Sequence, residues 1–191
     1  MLATVSPSPG AMTKTTVSDV RLQQLLLVAV LLLGAMLYVS SVAANPVSGS
    51  DGSTYMGLAQ SILKGNGYVF NGHPHVQYPP GLPFFLAATG RLISTDFQTL
   101  QRILAGLSLI GAGFGAILVS RMTGAKAWIV SLFMILNVRV FFLSVDAIRS
   151  EPLYGVTTLA LLFIADREQQ WDGWKSWGHL ATVFALSAAS A

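Results

Sequence analysis

Cysteine is absent from all 191 residues, so disulfides, thiolate nucleophiles and cysteine-ligated metals are excluded and the redox compartment stays open. Charge is scarce as well, at 10% of the chain, with eleven Lys and Arg against eight Asp and Glu. The basic residues are scattered, mostly beside apolar stretches, and form no patch of the kind that binds a nucleic acid. Two His near each other in sequence and no Cys make a closed zinc site a poor expectation; His73 and His75, flanking Pro74, read as loop residues.

What the chain has in excess is apolar surface, 53% of its residues. That lies outside the usual soluble range and within that of membrane proteins. It comes in blocks, about 22–42, 81–94, 103–120, 127–145, 152–165 and 178–191, each bounded by polar residues except the last, which runs to Ala191. That unfinished end reads as the N-terminal part of a longer protein. Crossing a bilayer takes about 20 helical residues, which several blocks approach. The expected fold is all-α, a polytopic transmembrane helical bundle.

Residues 1–20, rich in Ser, Thr and Pro, read as a disordered cytoplasmic tail, and 21–191 as the transmembrane module. Lys14 and Arg21 precede the first block, as in a signal anchor with its N-terminus in the cytoplasm. A cleavable signal peptide ending near Ser41-Val42-Ala43 is the rival. Residues 45–80 form a connection too long for a plain helix hairpin, expected on the external side. Within it, Tyr55, Leu58, Ala59 and Ile62 recur at helical spacing after Asp51, up to Lys64-Gly65. This amphipathic helix is expected along the membrane surface, apolar side down.

The 14 residues of 81–94, at about 1.5 Å each, fall short of a hydrocarbon core about 30 Å thick, so this block is expected to dip in and return. The basic residues then divide six inside (Lys14, Arg21, Arg121, Lys126, Arg167, Lys175) to four outside (Lys64, Arg91, Arg102, Arg149), with Arg139 inside a span. Asp51 and the segment 146–151 fall on one side, which is expected to let Asp51 and Glu151 border one cleft on the order of 10 Å apart.

Other patterns have structural readings. Gly111 and Gly115 lie inside an apolar block without a preceding strand, which suits close helix packing and not a phosphate loop. Trp171, Trp174 and Trp177 read as an interfacial belt. Arg139 calls for an ion pair or a lipid phosphate. Asp51 and Glu151-Pro152 each suit ordinary helix-start chemistry as well as function.

The stretch 51–87, DGSTYMGLAQSILKGNGYVFNGHPHVQYPPGLPFFLA, and the later Arg149-Ser-Glu151-Pro-Leu-Tyr154 together resemble the GT-C membrane glycosyltransferases. More narrowly, they look like the bacterial family-39 and RgtA/B/C/D-like branch, relatives of protein mannosyltransferases and aminoarabinose transferases. The resemblance spans roughly residues 20–170. It implies transfer of a sugar from a polyprenyl-phosphate donor to a glycan, lipid or protein acceptor at the external face of the plasma membrane. It makes Asp51 the loop acid that accepts the acceptor's proton and Glu151 the second acid. Tyr55, Gln77, Tyr78, Pro79, Pro80, Gly81, Asp146 and Arg149 would contact substrate. No resident cofactor is implied; some relatives hold a divalent cation through acids. Gly52 stands where many relatives carry a second acid, and Gln77-Tyr78 where aminoarabinose transferases carry Glu-Lys. A transporter or channel segment and a non-catalytic membrane subunit are the alternatives; a transporter would show broken helices and ionisable residues near the midplane.

Overall fold

The computed structural model describes residues 17–42 and 50–168. Residues 171, 174 and 177 and the last apolar block lie outside the described residues, as does most of the N-terminal tail. The fold is all-α, with one two-residue hairpin. The helices are α1 (Val17–Ser41), α2 (Ser50–Leu63), α3 (Gly81–Leu92), α4 (Phe97–Thr123), α5 (Ala127–Ile135), α6 (Val138–Val145) and α7 (Glu151–Glu168). Strands β1 (Val69–Phe70) and β2 (His73–Pro74) pair antiparallel between α2 and α3. Helix α1 begins at Val17, so residues 17–20 are helical where an irregular tail was expected. Val17 and Val20 carry the apolar run of Leu22, Leu25 and Leu26 one turn further back, which the polar composition of the tail obscured.

Helices α1 and α4 are long and apolar enough to cross a membrane. The molecule is therefore a membrane protein. Helix α4 has clear ends. Asp96 accepts from the Thr99 N–H at 2.9 Å at its start, and Gly124, at φ 74°, closes it in the left-handed region that a side chain would resist. The expected span 127–145 is broken: α5 and α6 meet at 61°. Asn137 is the cause, because its side chain accepts from the N–H groups of Arg139 and Val140 and so starts a new helix inside the apolar block.

Contacts fix the relative directions of the helices. Gly34 faces Leu109 and Gly113 faces Leu31, so α1 and α4 are antiparallel. Gln23 accepts from the Trp128 indole at 2.8 Å, and the Tyr38 hydroxyl donates to the Ile135 carbonyl at 3.0 Å, so α5 runs with α1. Gly111 faces Val156 and Gly115 faces Leu159, so α4 and α7 run parallel. A Cβ on Gly111 would stand 3.4 Å from the Val156 Cα, the close helix approach expected of these small residues. One end of the bundle thus gathers the close of α1, the start of α4 and the start of α7. The other gathers the start of α1, the close of α4 and the start of α5.

Helices α2 and α3 cap the first end. Tyr55, Leu58 and Ala59 of α2 are buried, and a core of Tyr55, Ala59, Leu82, Leu86, Leu100, Leu104 and Ile148 joins both helices to α4. The expected α2 helix is present, with Gly65 at φ 77° after its end. Its apolar face, expected toward the membrane, packs on protein instead: Tyr55 and Ala59 share a core with Leu82 and Leu86 of α3 and with Ile148 of the 146–150 turn. Helix α3, with 12 residues, reaches about 18 Å and is too short to cross the hydrocarbon.

Candidate functional site

At the capped end the sequence-predicted residues fall into two groups. The first surrounds Asp51, an exposed residue in the opening turn of α2. The Tyr78 hydroxyl donates to Asp51 Oδ1 at 2.6 Å. Donation to a carboxylate holds the phenol proton, so the Tyr78 pKa is raised above its usual value, with burial and the Asp51 charge acting in the same direction. Position 51 is one residue inside the helix, where a negative charge meets the positive end of the helix dipole.

Tyr78 is held from several sides. Its ring lies 5.0 Å from that of Tyr55 and stacks on His75 at 5.4 Å and 16°. Its backbone N–H donates to His75 Nε2 at 3.3 Å, and its carbonyl accepts from the Tyr68 hydroxyl at 2.9 Å. Tyr68 in turn has a raised pKa, first from burial and then from the neighbouring Tyr55. Phe70 presses on Gly57, whose added Cβ would stand 2.6 Å from the ring. The hairpin therefore acts as a brace that sets the Tyr78 hydroxyl on the Asp51 carboxylate. Pro79 and Pro80 follow in a fixed, extended-to-turn backbone, and Gly81 opens α3; Gln77 and His73 are exposed.

The second group lies on the turn between α6 and α7. Asp146 and Arg149 pair at 3.8 Å, and the Arg149 Nε is buried with no hydrogen-bond partner among the described residues. Glu151 opens α7 with Pro152 behind it, as helix-start chemistry favours. Glu151 lines a cavity of about 360 Å³ with Asn137, Ser108, Ser144 and apolar residues of α4, α6 and α7. Asp51 and Tyr78 do not line that cavity. Glu151 borders the α4–α6–α7 space, while Asp51 pairs with Tyr78.

Gly52 joins the groups. A Cβ there would lie 3.2 Å from the Ile148 carbonyl oxygen, so the first turn of α2 rests directly on the backbone three residues before Glu151. Sequence reasoning noted Gly52 only as a departure from a family pattern and missed this packing. His75, expected as an exposed loop residue, is half-buried in an aromatic cluster with Tyr68, Phe70 and Tyr78, whose closeness in sequence is the signal for it. Arg139 is exposed in the first turn of α6 and, among the described residues, has no ion pair. Among the described residues no three His, Asp or Glu side chains group as metal ligands.

No family model, no curated protein and no solved structure matches the chain. The class defined by fold and composition is thus an all-α membrane protein with a braced carboxylate at one end of its bundle.

Proposed function

We propose that this chain is, or forms part of, a GT-C-type glycosyltransferase of the plasma membrane. In this reading it is multi-pass with its N-terminus cytoplasmic, and α2, α3 and the hairpin face outward. The sugar comes from a polyprenyl-phosphate donor. The acceptor hydroxyl attacks the anomeric carbon, its proton passes to Asp51, the bond from that carbon to the phosphate oxygen breaks, and the lipid phosphate leaves. Tyr78 positions the Asp51 carboxylate, and Arg149 is suited to the departing phosphate. Glu151 orients a substrate hydroxyl from the adjoining cavity. The observation that carries the reading is the Tyr78–Asp51 hydrogen bond on a helix seated against Ile148, which brings the Tyr-Pro-Pro-Gly element, the loop acid and the 146–151 segment to one end of the bundle.

The test is sugar transfer from a polyprenyl-phosphate donor by membranes carrying the protein within its natural polypeptide. Asp51→Asn keeps shape and removes proton acceptance, so turnover is expected to fall by roughly 10²- to 10⁴-fold with expression unchanged. Near-normal turnover would leave Asp51 a structural helix-start residue and sink the mechanism.

A transporter reading draws on one observation, the 61° break between α5 and α6 beside Arg139. Solute uptake by reconstituted vesicles without any sugar transfer would favour it.

A further inference from the structure

His75 follows the hairpin, and its own N–H donates to the Tyr68 carbonyl at 3.0 Å. Its half-buried ring stands among three aromatic neighbours: Tyr68 at 5.9 Å and Phe70 at 6.1 Å meet it at 67° and 74°, and Tyr78 stacks on it at 5.4 Å. Those contacts fix the direction of the imidazole, and that direction carries chemistry. Nε2 accepts the Tyr78 N–H at 3.3 Å, so it holds a lone pair and the ring proton is on Nδ1. An imidazolium carries N–H groups at both nitrogens and accepts nothing.

The consequence runs through Tyr78. Its backbone is held at the N–H by His75 and at the carbonyl by the Tyr68 hydroxyl, while its phenol reaches Asp51 Oδ1 at 2.6 Å. Val76 and Gln77, which link His75 to Tyr78, are exposed, so the Nε2 contact is what closes that link. Protonating His75 removes this hold and sets one N–H against another.

The surrounding charges favour the same outcome. Asp51 of α2 lies past the Tyr78 hydroxyl and attracts an imidazolium, which then competes with the phenol for the carboxylate. Tyr68 and Tyr78 keep their protons, both being held above the ordinary tyrosine range. Tyr55 of α2 meets the far side of Tyr78; Lys64 follows the end of α2, Arg91 stands in the last turn of α3, and His73 is exposed on the hairpin.

We propose that His75 is a positioning residue of this site and its acid-sensitive latch: neutral, it holds Tyr78 on Asp51, and protonated, it lets the pair part. This coupling is independent of sugar transfer.

The test uses the 191-residue chain in detergent micelles, with tyrosine carbon-13 labelled at Cζ, whose chemical shift follows the hydrogen bond of the hydroxyl. Tyr78→Phe identifies the Tyr78 signal among the five tyrosines, and Asp51→Ala gives its position without the bond. Between roughly pH 8 and pH 5, where histidine changes charge, the wild-type signal should move toward the Asp51→Ala position. The bonded-to-free ratio should fall on the order of fivefold, the scale of one lost neutral hydrogen bond. His75→Gln, whose amide oxygen can stand where Nε2 stands and does not titrate, should keep the bonded signal throughout. His75→Phe, which keeps the stack and lacks the acceptor, should give the released signal at every pH. Unchanged helical circular dichroism would show that the variants keep their fold. A wild-type signal that stays still across this window would overturn the proposal. So would a His75→Gln signal that moves as the wild type does, since His73 or another group would then be the one titrating, or a Tyr78 bond that strengthens on acidification.

Discussion

Replacing Gly52 and Ile148 together by cysteine tests the contact on which the candidate site depends. A Cβ on Gly52 would lie 3.7 Å from the Ile148 Cβ, close to the mean separation of about 3.8 Å in disulfides. The chain has no other cysteine, so only this pair can form. The 3.2 Å approach to the Ile148 carbonyl requires the turn to yield by a few tenths of an ångström, a small strain against the gain. Closing a loop of roughly 97 residues removes up to about 4.7 kcal/mol of unfolded-state entropy on the chain-entropy scale, an upper bound because strain subtracts from it. The double variant should therefore oxidise readily with copper phenanthroline in membranes. Peptide mapping without reductant should recover the 52–148 link, and thermal unfolding in detergent should shift upward and return on reduction. The single variants provide the baseline. Less than a tenth cross-linked after exhaustive oxidation, with both cysteines reactive to a small maleimide, would show that α2 does not rest on the 146–150 turn. The shared-end geometry would then fail.

The Tyr38→Phe variant removes the donor to the Ile135 carbonyl beside the helix break. Since Tyr38 is 1% exposed, the orphaned acceptor should cost about 1–3 kcal/mol, read as a lowered unfolding midpoint in detergent. The raised Tyr78 pKa means that the bond to Asp51 is intact below the ordinary tyrosine range and is lost as pH rises through the raised value. In an ultraviolet phenolate titration, Asp51→Ala should bring one tyrosine back to a lower titration point, and no change would deny the bond. The Asp96 pKa is lowered by donation from the Thr99 N–H and hydroxyl, so its cap is present above the ordinary carboxylate range and fades as pH falls through the depressed value. Asp96→Asn should flatten acid unfolding in that window. For orientation, single cysteines at Ser53 and Ser150 should react with an impermeant maleimide in intact cells while Thr123→Cys should not; labelling of Thr123→Cys would reverse the assignment.

Local chemistry made much of this legible. The long apolar runs of α1 and α4, the Asp51-led amphipathic pattern of α2, the Glu151-Pro152 start of α7 and the close-packing glycines of α4 are set by residues within one or two turns of each other. Asn137 is legible in principle, since a cap residue inside an apolar block can end one helix and begin another, but the near-continuous apolar composition of 127–145 reads as one span. Tertiary structure alone decided three matters: that the apolar face of α2 meets protein, that Gly52 rests on Ile148, and that His75 and Tyr68 brace Tyr78 against Asp51. Each joins segments dozens of residues apart, and a single sequence carries burial and spacing along the chain but no distance across it. The same limit holds for the two acids. Helix-start chemistry placed Asp51 and Glu151 at helix openings from sequence alone, whereas their separate surroundings depend on how α4, α6 and α7 pack around a cavity that no local pattern specifies.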